Sequence, residues 1–386
     1  MSHQRKRDKQ HNDDGPNAKR PRKNTVGYRL SNQPEGPTPF RPVINDGVTT
    51  GTLRNTKGHP RRYTVSIAVP GSIIDNCQSL ELKTYVAGQI ARTVAIYNID
   101  EIIVYNESST PMRPDPMKDA NVFLARILLY QECPQYLRKA FFPVHASLKY
   151  AGLLNPLDAP HHVRGDERSS FREGVVLKKS PPNGAKGCLV DCGLRRDVHV
   201  ADKTVQPGVR VTVEMAFANS TECPGLPAGT LVARKTPRET AGLYWGYQVR
   251  LAEGLSKVFT ESPFGEEYDY KVGTSERGSP MAAITSSASD GLLPPFRHLL
   301  IVFGGVKGIE AAIEADAAIP VAPEDAGSLF DVWINACPNQ GSRTIRTEEA
   351  MLLSLALLKP HVEANGDNSP LPTTAGAGTA ASKAKK

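Results

Sequence analysis

Between residues 63 and 131 the chain alternates short β-branched runs with longer amphipathic ones, and this rhythm restricts its fold more than any other feature. Tyr63-Thr64-Val65-Ser66-Ile67-Ala68-Val69 reads as a strand closed by Pro70-Gly71, and Glu101-Ile102-Ile103-Val104-Tyr105 as a second. Between them Leu82, Val86, Ile90 and Val94 recur every fourth residue, predicting a helix over about 79–97. Phe123, Ile127 and Leu128 predict another over about 118–131, and residues 134–142 a short third. Apolar strands separated by helices pair in parallel, because a parallel neighbour is reached only through a long crossover. The expected frame is an α/β, mostly parallel sheet with helices on its faces.

The texture changes from about Asp166 to Val258. Five β-rich segments follow (174–178, 187–192, 209–217, 230–235 and 244–251) with no long helix among them. In the third, Val211, Val213 and Met215 alternate with Arg210, Thr212 and Glu214; in the fifth, Tyr247, Val249 and Leu251 alternate with Gln248 and Arg250. Period two with one polar face is the half-buried antiparallel pattern. Five such strands suit a small OB-like barrel, a type that holds single-stranded nucleic acid by basic side chains and aromatic stacking. Phe171, Tyr244 and Trp245 are the stacking candidates, although a lone Trp in a small barrel is more often core. Strand texture returns at 268–274 and 299–303. The frame is therefore expected at 62–165 and 259–362, the insert at 166–258, and disordered tails at 1–61 and 363–386.

Charge is uneven. Residues 1–62 hold 14 Lys or Arg against 5 Asp or Glu, and 166–258 hold 14 against 10, so the remainder of this +7 chain is net acidic. Nucleic acid would meet the tail and the insert first. Lys19-Arg20-Pro21-Arg22-Lys23 reads as a nuclear localisation signal or RNA-contacting arm, or simply as a solubilising tail. No run of eighteen apolar residues exists and the amino terminus is polar, so neither a membrane span nor a signal peptide is expected. Six cysteines form no CxxC pair, which disfavours a disulfide framework or zinc site and suits a reducing compartment. The adjacent His161 and His162, with Arg164, lack a third ligand at useful spacing, so no metal is expected there. Hydrogen bonding within the fold and contact with RNA are the two readings of that loop.

Near the carboxy terminus an apolar strand, 329–334, leads through a polar loop to a run of helix formers, Ala350 to Leu358, closed by Lys359-Pro360. Thr347 is the expected N-cap, with Glu348 and Glu349 offsetting the helix dipole. So much polarity between two buried elements favours a binding loop over an ordinary turn. The loop reads N-x-C-P-x-Q-G-S-R-T-I-R-T-E-E-A from Asn335 to Ala350. With P-Q-Y-L-R-K-x-F-F-P from Pro134, G-L-L-N-P-L-D-x-P-H-H-x-R from Gly152, and G-T-S-E-R-G from Gly273, it resembles the SPOUT, or α/β-knot, RNA methyltransferases over roughly 62–360. Within them it looks like the eukaryotic and archaeal branch with an inserted OB-fold. Animal members of that branch are uridine-N3 methyltransferases of large-subunit (28S-type) rRNA, also linked to the mitotic spindle and centromere.

The resemblance implies a deep trefoil knot in which the carboxy-terminal chain threads a loop, against the usual rule. It also implies S-adenosylmethionine held by the backbone of three loops. Here those would be Phe303 to Gly305, Asn335 to Gln340 and Gly341 to Thr347, placing Phe303, Gly304, Gly305, Asn335, Asn339, Gln340, Gly341, Arg343, Thr344, Ile345, Arg346 and Thr347 at the cofactor, with Arg297 beside the pocket. Gly304, Gly305 and Gly341 would permit close backbone approach, or merely tight turning. Arg343 and Arg346 suit a carboxylate or phosphate, or a surface ion pair. Arg164, Glu276 and Arg277 lie in shared motifs and are the catalytic candidates on the target side; no residue stands out as the base. A homodimer, a nuclear and nucleolar location, and spindle or kinetochore attachment in mitosis follow from the resemblance. The rival reading is a non-catalytic RNA-binding spindle scaffold. A nicotinamide enzyme is disfavoured because Gly304-Gly305-Val306-Lys307-Gly308 lacks the GxGxxG spacing, and no Walker A motif exists.

Overall fold

The computed structural model describes residues 59–265, 267–281, 283 and 293–369. The basic cluster at 19–23 lies outside the described residues, as do 1–58 and 370–386 of the tails expected at 1–61 and 363–386. The first strand, β1 (Thr64–Pro70), is buried throughout and passes through a short turn to α1 (Leu80–Ile96). Ser79 starts α1 by accepting the Leu82 N–H, and Asp119 starts α2 (Ala120–Glu132) by accepting those of Asn121 and Val122. Between them lies β2 (Glu101–Tyr105), and α3 (Gln135–Phe141) follows.

The insert is β3 (Phe171–Val176), β4 (Cys188–Asp191), β5 (Val198–Val200), β6 (Arg210–Asn219) and β7 (Pro227–Val232), closed into a barrel in the order β3-β4-β5-β7-β6. All neighbours are antiparallel except β5 and β7. The barrel departs from expectation at one strand. Val198-His199-Val200 is too short to show a period, yet buried His199 fixes it, its ring bonded to the Ser220 hydroxyl (2.7 Å) and the Lys186 carbonyl (2.8 Å). The segment expected as the fifth barrel strand instead leaves the insert. After α4 (Thr236–Ala241), β8 (Gln248–Ala252) pairs in parallel with β2, so the frame resumes before residue 259. Alternation alone could not separate a barrel strand from a sheet-edge strand, since both expose one face.

Beyond α5 (Leu255–Thr260) come β9 (Tyr270–Pro280), β10 (His298–Phe303), α6 (Glu310–Ala315), β11 (Val332–Asn335) and α7 (Thr347–Asn365). One parallel sheet of six strands results, in the order β11-β9-β10-β1-β2-β8. Ile67, Val69, Ile102 and Ile301 pack on one face beneath α1, α2 and α7; Ala68, Ile103, Leu300 and Val302 pack on the other beneath α5 and α6. The last helix runs past Pro360, because buried Leu358 and the inward-packed Val362 hold the turn that the missing N–H weakens. The chain beyond 362 also stays against the sheet as far as the structure follows it. Gly366 bridges Phe296, Asp367 pairs with Arg297 at 2.9 Å, and Asn368 accepts the Arg62 N–H.

Candidate active site

The carboxyl ends of β1, β9, β10 and β11 open on a cavity of about 610 Å³. Open parallel sheets place ligands there, outside the strand ends beside the point where strand order reverses. Register shows how β9 contributes. Trp333 and Ile334 of β11 are consecutive, but their partners on β9 are Gly273 and Ser279, so residues 274–278 are skipped by the ladder with β11, and past Thr274, which pairs with Phe303, by that with β10 as well. Thr274, Ser275, Glu276 and Arg277 of that segment line the cavity. Gly278 returns the chain so tightly that a Cβ there would lie 2.3 Å from the Ile334 carbonyl carbon.

The turn after β10 is the second wall. A Cβ on Gly304 would meet the Gly308 and Ile309 backbone at 2.6 Å, and one on Gly305 would meet the Glu107 carboxylate at 2.6 Å. Burial raises the Glu107 carboxyl above its ordinary range, partly offset by the hydrogen bond from Ser72. Gly308, at φ +79°, closes the turn by donating to the Gly305 carbonyl. The third wall is 335–347. Asn335 donates to the Glu276 carbonyl (2.8 Å) and accepts the Cys337 N–H (2.9 Å), tying this loop to the skipped segment. Thr347 is the first helical residue rather than the cap; Arg346 holds that position, its N–H accepted by Glu349 at 2.9 Å. The Thr347 hydroxyl donates instead to the Gly304 carbonyl at 3.0 Å, joining the third wall to the second.

Phe303, Gly304, Gly305, Asn335, Gln340, Arg343, Thr344, Ile345, Arg346 and Thr347 line this one cavity, with Glu276 and Arg277. Arg343 and Arg346 form no ion pair among the described residues, whereas Arg277 reaches Glu310 at 3.1 Å. Asn339 and Gly341 belong to the loop but not to the wall, and nothing lies within 4 Å of a Cβ placed on Gly341. Arg297 is a correction. It precedes β10 at the opposite end from the cavity, held by Asp367 and the Ser369 carbonyl. Arg164 is another, standing before the barrel with its N–H on Glu167. Ile73, Asn76 and Cys77, which also line the cavity, gave no signal in sequence; only the pairing of β1 with β10 brings them there.

Residues 64–358 match a protein family whose model is described as "Putative RNA methyltransferase". The chain is 52% identical over 80% of its length to the 28S rRNA (uridine-N(3))-methyltransferase of Mus musculus, covering 78% of that protein. It is 51% identical to that of Homo sapiens, covering 80% of each, and 46% identical to that of Drosophila melanogaster, covering 80% of this chain and 64% of the other. The chain belongs to this RNA methyltransferase family. Among solved structures, the SpoU methyltransferase AviRb from Streptomyces viridochromogenes in complex with AdoMet aligns with a TM-score of 0.27 at 10% identity, over 80% of this chain and 60% of that one, a likeness too loose to bear on function.

The residues expected to stack on RNA do not present themselves in this methyltransferase. Phe171, Tyr244 and Trp245 are buried, the Trp245 indole donating to Glu173 at 2.5 Å and the Tyr244 hydroxyl to the Ile99 carbonyl at 3.0 Å. His161 is fully buried, and both it and His162 bond the Glu132 carbonyl. Burial, and to a lesser degree the neighbouring His161, push the His162 imidazole down to about 3. These side chains belong to a polar joint between barrel and sheet. Glu132 at its centre takes Arg210 at 2.6 and 3.0 Å, Arg234 at 3.0 Å and His161 at 3.2 Å. Burial opposes its charge, but Arg210 and Arg234 dominate together and hold the carboxyl well below its ordinary value. Among the described residues no group of three or more His, Cys, Asp or Glu could hold a metal ion.

Proposed function

We propose that this protein methylates N3 of a uridine in large-subunit rRNA, with S-adenosylmethionine as donor. The carrying observation is the convergence of three polar, glycine-containing walls on one cavity in a chain about half identical to proteins named for that reaction. The cavity is of the size that ligand pockets take. Gly304 and Gly305 leave it backbone surface that a Cβ would cover, which fits a nucleoside whose base is read by main-chain groups. S-adenosylmethionine, when bound, supplies an electrophilic methyl on sulfur. The 303–305 and 335–347 backbone holds the nucleoside, and Arg343 and Arg346 offer cations for a carboxylate or phosphate. Glu276, on the skipped segment, receives the N3 proton as the uridine attacks, and Arg277 steadies the target side. Threading of 335–347 through the preceding loop as a trefoil knot belongs to the same reading, supported by the Thr347 to Gly304 link.

A homodimer is part of the proposal. Leu352, Leu353 and Leu357 of α7 and Leu82 and Tyr85 of α1 are exposed, and Leu353 lines the cavity. A nuclear, nucleolar site of action follows from the substrate. Spindle or kinetochore attachment is carried over from the resemblance and is checked by imaging the tagged protein through mitosis. The deciding experiment maps N3-methyluridine in large-subunit rRNA after deletion of the gene. Loss of one site, restored by wild type but not by Glu276→Gln, is expected; an unchanged map removes the substrate.

A further inference from the structure

Arg172 is 1% exposed, and its guanidinium forms no ion pair among the described residues. It donates instead to three main-chain carbonyls: Arg164, Glu167 (2.6 Å) and Cys192 (3.1 Å). Burying a guanidinium is costly, and a fork that spans two separate loops fixes them against each other. The two loops are otherwise packed tightly, since a Cβ on Gly165 would lie 3.1 Å from the Gly193 carbonyl and one on Gly193 would enter the Tyr136 ring. What they jointly present is Arg164 and Arg168 from one loop, Arg195 and Arg196 from the other, all four exposed. None forms an ion pair among the described residues; Arg196 reaches only the Gly225 carbonyl, at 2.5 Å. Nearby carboxylates are largely engaged. Glu167 accepts the Arg164 N–H, Asp191 the Gly193 N–H, and Asp197 pairs with Lys179, leaving Asp166 as the exposed acid of the first loop.

We propose that these two clasped loops form the RNA-docking surface of the insert, taking consecutive phosphates of a single strand on Arg164, Arg168, Arg195 and Arg196. This rests on the RNA reading above and replaces the buried aromatic residues as its contact. Guanidinium forks match phosphate oxygens, and prior fixing by Arg172 lowers the entropy lost on binding.

The test measures binding of a single-stranded RNA oligonucleotide of mixed sequence across a salt series. The variants are Arg168→Ala/Arg195→Ala/Arg196→Ala and a charge-matched control, Lys178→Ala/Lys186→Ala/Lys203→Ala. The arginine variant should bind at least tenfold more weakly, with a salt slope shallower by about 0.7 for each phosphate no longer neutralised. The control should change little, and S-adenosylmethionine binding should be the same in all three. Unchanged RNA affinity and slope in the arginine variant, or equal weakening in the control, overturns the surface. Methylation of large-subunit rRNA, read separately, distinguishes the two proposals. Wild type that binds through these arginines but methylates no such RNA keeps the surface and loses the substrate.

Discussion

Three glycines that look alike in sequence stand in three environments. At Gly304 a Cβ would strike main chain at Gly308 and Ile309; at Gly305 it would strike the end of a side chain, Glu107; at Gly341 it would meet nothing within 4 Å. Backbone cannot yield as a carboxylate can, so the order of damage follows from what is struck. Gly304→Ala should cost about 1–3 kcal/mol as an overpacking change, with methyl transfer lowered at least tenfold. Gly305→Ala should be milder, and Gly341→Ala should stay within about 0.5 kcal/mol of wild type. Thermal unfolding and S-adenosylmethionine calorimetry on the three variants check this order; an equal effect at all three would contradict it. Arg297 teaches the same lesson in reverse. Its motif placed it beside the pocket, but β10 runs its full length between them, and the side chain anchors the segment after α7.

At the scale of elements, the start of α7 decides whether the site is assembled. Its first hydroxyl is spent on the Gly304 carbonyl, while the cap is supplied by Glu349 on the Arg346 N–H. Thr347→Val removes the tie but keeps the shape, and should cost about 1 kcal/mol of stability, with a larger loss in cofactor affinity than in Tm. The same helix exposes Leu352 and Leu357. Leu352→Arg with Leu357→Arg should leave a folded monomer by light scattering, and methyl transfer should fall with dimer content; an unaltered mass would remove the proposed dimer face.

For the whole molecule the joint between barrel and sheet governs acid stability. The folded-state pKa of His162 lies below its unfolded value, so the unfolded chain takes up the proton first as pH falls. Its contribution is full above about 6.5 and is lost as pH falls toward about 3. Glu132 is also depressed in the fold, and its contribution is present above the ordinary carboxyl value and lost below it. Tm should therefore drop steadily from pH 7 to pH 4. His162→Gln, which keeps a donor for the Glu132 carbonyl without titrating, should flatten the upper part of that drop. Glu132→Gln should destabilise by about 3–5 kcal/mol, because it leaves Arg210 and Arg234 uncompensated. A Tm unchanged by Glu132→Gln would deny the joint its role.

The parallel frame was readable because buried strands and crossover helices each impose their own apolar period, and the loop at 335–347 because charge between two buried elements has few structural uses. Neighbourhood was not readable. Whether 248–252 closes a barrel or edges a sheet, whether Trp245 faces RNA or Glu173, and whether Arg297 or Cys77 lies at the cavity all depend on which strands pair. Local sequence sets the period and polarity of each segment, but pairing is fixed by contacts between residues far apart in the chain, and only the folded chain brings those together.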